Sequence, residues 1–117
     1  MKIASLAALS FAAAMTATVP AHASGFGTFY AQMLAGGTVA SSSGVASAAR
    51  TAVGKYSITF NRSLLGCATM VSLRGSTSGY GTSMLKGGSP TVVWVFTYNA
   101  GGALTNKDFN IFAICNT

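Results

Sequence analysis

An all-β domain, an antiparallel β-sandwich or jelly roll closed by one disulfide, is the fold class this sequence predicts. Three observations carry the expectation. Short apolar stretches recur between Gly- and Ser-rich turns, no long helical period runs through the chain, and two cysteines stand far apart at Cys67 and Cys115.

The first element is not part of that domain. Lys2 supplies a short positive region, residues 3–15 form an Ala- and Leu-rich apolar run, and Ala21 and Ala23 fit the small-x-small pattern of a cleavage site. This is the grammar of a secretory signal peptide over residues 1–23, cleaved near Ala23. The apolar run is too short to cross about 30 Å of hydrocarbon as an anchor. No second run approaches spanning length, so no stable membrane insertion is expected. Residues 24–117 are then a single secreted or periplasmic domain.

From there the elements follow in order. In "FGTFYAQML" the residues Phe26, Phe29, Tyr30, Met33 and Leu34 have the spacing of one helical face. The segment is also bounded by glycines, and Gly36-Gly37 between apolar runs signals a hairpin turn. The hairpin is the preferred reading, pairing 29–34 with 38–41. "SSSG" is a loop or bulge, and "VASAARTA" is a weak strand because Ala packs poorly on a pleated surface. "KYSITF" places Tyr56, Ile58 and Phe60 on one face and Ser57 and Thr59 on the other, the alternation of a half-buried strand. Asn61-Arg62-Ser63 turns the chain; it matches a glycosylation sequon but reads as a turn. "CATMVSLR" (67–74) is the next strand. "GSTSGYGTS" (75–83) reads as a polar loop with a short strand around Tyr80.

The last third is apolar on both faces. "TVVWVFTY" carries Val92, Trp94, Phe96 and Tyr98 on one side and Val93 and Val95 on the other. "FNIFAIC" sets Phe109, Ile111 and Cys115 against Phe112 and Ile114, and residues 99–106 link the two strands. Strands apolar on both faces call for cover on both faces. A small domain has little chain for a second cover, so a subunit interface, or else a short helix or the N-terminal segment, is expected to supply it.

An exported chain meets oxidising conditions, so Cys67 and Cys115 are expected to pair, tying the last strand to the strand that opens at Cys67. The alternative, a reactive thiol pair, lacks the close CxxC spacing. Closing a loop of about 48 residues contributes about 4 kcal/mol by chain-entropy reasoning.

Charge narrows the chemistry. Arg50, Lys55, Arg62, Arg74, Lys86 and Lys107 face a single acid, Asp108, with no run of like charge. Such a balance favours an anionic or glycan cell-surface ligand, or simply keeps the chain soluble. Nucleic acid is not expected, for want of a basic cluster or recognition module. The one histidine, His22, lies in the leader, so no Ser-His-Asp or Cys-His system is available. One carboxylate cannot supply paired acids, and no residue set suits zinc or calcium. No cofactor motif is present, because "GSTSGYG" has neither the spacing nor the context of a phosphate-binding loop. A Ser-Lys pair, Ser83 or Ser89 with Lys86, is the remaining catalytic option and is generic in a Ser-rich chain. The expectation is a protein that is not an enzyme.

For binding, Tyr80 is the favoured residue because it sits in a Gly/Ser segment where function tends to lie, with Arg74 and Lys86 bracketing it. Trp94, in the middle of an apolar strand, reads as core. Recognition is expected in 75–90 and 99–107.

The stretches "MLAGGTVASSSGVASAARTAVGKYSITFNRSLLGCA" and "FNIFAIC" resemble small secreted bacterial β-sandwich modules of largely unassigned function, similar to C-terminal domains of phage tail fibres and bacterial surface proteins. The resemblance covers residues 30–115. Gly36-Gly37 stands where that pattern has an Asp-Gly turn. It implies a disulfide-closed sandwich with an interaction role, in a homo-oligomeric, trimeric form, and it transfers no catalytic residue. The leading expectation is therefore a secreted, non-enzymatic interaction or surface-structural domain. The alternatives are a basic toxin or antimicrobial and an inhibitor of a secreted enzyme.

Overall fold

The computed structural model describes residues 26–116; the expected leader, residues 1–23, lies outside them. Eight strands follow in order: β1 (Phe26–Met33), β2 (Val39–Ser43), β3 (Val45–Ala52), β4 (Lys55–Phe60), β5 (Ala68–Leu73), β6 (Gly79–Lys86), β7 (Ser89–Asn99) and β8 (Phe109–Asn116). There is no helix among the described residues. Two four-stranded antiparallel sheets face each other, the first in the order β2-β1-β8-β5 and the second in the order β3-β4-β7-β6.

Three hairpins stay within a sheet, β1–β2, β3–β4 and β6–β7, and the remaining connections cross between sheets. The tightest crossing is at Gly44, the single residue between β2 and β3. There the backbone takes φ 78°, and a Cβ would come within 2.5 Å of the Phe29 ring. Only glycine reaches that left-handed conformation cheaply, and only glycine fits against the ring. The expected all-β architecture of two packed antiparallel sheets is the one formed.

The helical reading of the first segment fails for a physical reason. β1 pairs residue for residue with β8, from Phe26 opposite Asn116 to Met33 opposite Phe109. That ladder satisfies the backbone and buries alternate side chains, which a helix there would forgo. The expected hairpin forms, with Met33 opposite Val39 and Tyr30 opposite Ser43.

The core is the set of inward-facing alternates. Tyr56, Ile58 and Phe60 of β4 and Val93, Val95 and Thr97 of β7 meet Ala31 and Met33 of β1 and Phe109, Ile111, Ala113 and Cys115 of β8. Leu64, in the β4–β5 connection, seals one end. Tyr56 packs edge-on against Phe109, 4.7 Å between centroids, and its hydroxyl donates to the Ala35 carbonyl at 2.8 Å. The ring is thus buried and its polar tip satisfied.

The disulfide joins Cys67 to Cys115 across neighbouring strands of the first sheet, with Cα atoms 4.3 Å apart. The next residues, Ala68 and Ile114, are already ladder partners. The cross-link therefore locks an edge strand, β5, onto a central one.

Candidate binding face

The second sheet has an outward face built from β7. Its inward side is decided by β4, whose alternation is unambiguous: Tyr56 and Ile58 point into the core, and they lie opposite Val95 and Val93. Opposed residues in a ladder share a face, so the other set on β7, Trp94, Phe96 and Tyr98, must point outward. Trp94 is 36% exposed. The expectation that it belongs to the core is corrected here, because a sandwich interior about 10 Å thick has room for one face of each sheet. The smaller valines fill it.

Cross-strand register completes the face. Trp94 lies between Ser57 on β4 and Met84 on β6, Phe96 between Lys55 and Thr82, and Tyr98 beside Tyr80. The Tyr80 and Tyr98 rings stack, 4.8 Å between centroids. Around Trp94 and Phe96 the surface opens into a cleft of about 430 Å³, lined also by Thr51, Lys55, Ser57 and Lys86. Two ammonium groups and a strip of aromatic rings thus share one sheet face.

The residues singled out from the sequence fall in three places. Tyr80 is on β6, a regular eight-residue strand where a loop with a short strand was expected. Lys86 is on the same outward face of β6, six residues on, which is about 20 Å along a strand. Tyr80 therefore belongs to the stacked pair at one end of the face, and Lys86 to the cleft at the other. Arg74 follows β5 of the first sheet, with its backbone N–H donating to the Asp108 carbonyl at 2.9 Å. The three do not converge on one point.

The segments expected to be open loops are tied down. Lys107 donates from Nζ to Thr77 Oγ1 at 2.9 Å and to the Ser78 carbonyl at 3.0 Å, pinning the β5–β6 connection. The β7–β8 connection folds back on its own strand. Thr97 and Thr105 exchange bonds, Thr105 N–H to the Thr97 carbonyl at 3.0 Å and Thr97 Oγ1 to the Thr105 carbonyl at 2.6 Å. Asn106 Oδ1 accepts from Gly54 N–H at 2.8 Å, and Asn99 Oδ1 accepts from Gly101 and Ala103. These connections close the end of the sandwich.

The two Ser-Lys pairings expected from the sequence differ in geometry. Ser83 faces inward and shares a hydrogen bond with Thr69 Oγ1 at 2.9 Å, on the opposite side of β6 from Lys86. Ser89 is the ladder partner of Lys86 across the β6–β7 hairpin. The Asp108 carboxylate accepts from Ala35 N–H at 2.7 Å, at the first hairpin. Among the described residues no three His, Cys, Asp or Glu side chains gather where a metal could bind.

Comparison with protein-family models, with curated proteins and with solved structures finds no match to this chain. The chemistry of the face is therefore the guide to function.

Proposed function

We propose that the protein is an exported, non-enzymatic binding module that contacts an extracellular or cell-surface partner through the outer face of its second sheet. The observation that carries this reading is Trp94, a large aromatic side chain held outward mid-strand beside Phe96 and the Tyr80–Tyr98 stack. Exposed aromatic rings on a rigid sheet make a preformed contact surface, with little side-chain freedom to lose on binding. Trp94→Ala is expected to weaken binding to a panel of immobilised polysaccharides at least tenfold while leaving Tm within a few degrees. Unchanged binding would remove this face from consideration. Export is tested by cell fractionation and N-terminal sequencing, with a mature chain beginning at Ser24 as the expected result.

A second reading has support of its own in the first sheet. Its outer side presents Met70, 54% exposed, and Ile114 beside the half-buried rings of Tyr30 and Phe112, and none of the cationic side chains lies among them. An uncharged apolar face on a chain with net charge +6 is where two copies meet without like-charge repulsion. Self-association there, trimeric in the form the resemblance implies, is tested by light scattering. Met70→Lys is expected to lower the solution mass to that of a monomer.

A further inference from the structure

We infer that the ligand of the second sheet's outer face is an anionic polysaccharide, laid along β7 with sugar rings against Trp94 and Tyr98 and its acid groups at Lys55 and Lys86. This inference rests on the reading that this face is the contact surface, and it adds the chemical class and the pose.

Shape comes first. Trp94, Phe96 and Tyr98 stand at alternate positions of one extended strand, so the strip spans about 13 Å from Trp94 to Tyr98. It is longer than one small ring and open along its length, which suits a chain-like ligand rather than an enclosed metabolite. The cleft around Trp94 and Phe96 lies at one end of the strip, and the Tyr80–Tyr98 stack widens the other.

Polarity comes second. Hydroxyls border the rings: Ser57 beside Trp94, Thr82 beside Phe96, and Thr51 in the cleft. A sugar ring has C–H groups on its faces and hydroxyls on its rim, so it can meet aromatic and hydroxylated surface at once. A lipid surface asks instead for a contiguous apolar face. Here Met84, 51% exposed beside Trp94, alternates with hydroxyl-bearing neighbours, and the most exposed apolar side chains, Leu65 and Val53, lie in two separate turns.

Charge decides the class. Lys55 and Lys86 line the cleft that holds Trp94 and Phe96, and no acid lies on this face, because Asp108 is engaged at the first hairpin. A neutral glycan would leave both ammonium groups without a partner. A second copy docking by the same face would bring four of them together. Lysine acts as a compact charge without the fixed fork of arginine, which fits carboxylate or sulfate groups spaced along a flexible chain.

The test uses the purified, disulfide-bonded protein, with polygalacturonate, dextran sulfate and neutral dextran as probes, and phosphatidylglycerol/phosphatidylcholine vesicles beside them. Binding to polygalacturonate or dextran sulfate at least tenfold tighter than to dextran, weakening with added salt, is the expected result; which of the two wins distinguishes carboxylate from sulfate. Lys55→Gln combined with Lys86→Gln is expected to abolish the salt dependence and at least tenfold of the affinity, since both side chains are exposed and the variant should fold. Equal binding of dextran, or a Gln double variant that binds acidic probes as before, overturns the anionic class but leaves the binding face standing. Trp94→Ala that binds every polysaccharide as before overturns the face as well. Binding to the vesicles alone, or to none of the polysaccharides, overturns the inference.

Discussion

Tyr80 and Tyr98 stack directly across the β6–β7 ladder, their ring centroids 4.8 Å apart and their planes 19° from parallel. The pair lies on the outer face, where neither ring is needed to fill the core. Aromatic pairs of this kind contribute about 0.5–1.5 kcal/mol beyond the area they bury. A double-mutant cycle with Tyr80→Ala and Tyr98→Ala is expected to return a coupling in that range from urea unfolding. A coupling near zero would show that the rings are neighbours without mutual stabilisation.

Gly44 tests the corner between the sheets. Gly44→Ala combines a left-handed backbone with a contact against the Phe29 ring, and is expected to cost about 1–3 kcal/mol. Gly36, in the first hairpin turn, has open space where a methyl group would project, with no atom within 4 Å, and serves as the control. Gly36→Ala should shift stability by less than about 0.5 kcal/mol. Equal midpoints for the two variants would contradict the corner's role.

Removal of the disulfide should be costly in so small a domain. The cysteines are 48 residues apart in sequence, and replacing both Cys67 and Cys115 by Ala is expected to cost about 4 kcal/mol. Thermal unfolding with and without reductant measures this, and an unchanged Tm on full reduction would speak against it.

Among the described residues Thr97 is the one polar side chain in the buried set, and its hydroxyl donates to the Thr105 carbonyl at 2.6 Å. Thr97→Val keeps the shape and removes the donor, at an expected cost of about 1–3 kcal/mol. Amide hydrogen exchange at Thr105 should accelerate, because the fold-back of the β7–β8 connection loses one of its ties. Unaltered exchange would mean that the backbone bonds alone hold it.

Much of the fold is legible in the residues. β4 is marked by Tyr56, Ile58 and Phe60, and the twin faces of β7 and β8 are visible as alternating sets. The Cys67–Cys115 pairing is legible because the chain has two cysteines, far apart and without CxxC spacing. β6 is less legible, because Gly and Ser are poor strand residues and the segment 75–83 reads as a loop. The structure supplies the reason for one of those glycines: a Cβ on Gly81 would come within 2.5 Å of Val71 on β5. The strand tolerates glycine there because the neighbouring sheet approaches so closely.

Residue order and composition are enough to specify an all-β chain with one cross-link and an excess of basic residues. Those properties follow from residue counts and from period-two alternation, which are local. Which apolar face of β7 meets water is not local. Trp94 and Phe96 are apolar like Val93 and Val95 beside them, and only the register with β4 turns the valines inward and the rings outward. The same pairing brings Lys55 beside Phe96, two residues 41 positions apart in the chain (55 to 96). A contact surface assembled across strands exists only once the ladder has formed, because the forces that select it, burial on one side and hydrogen bonding along the edges, act between segments and not within them.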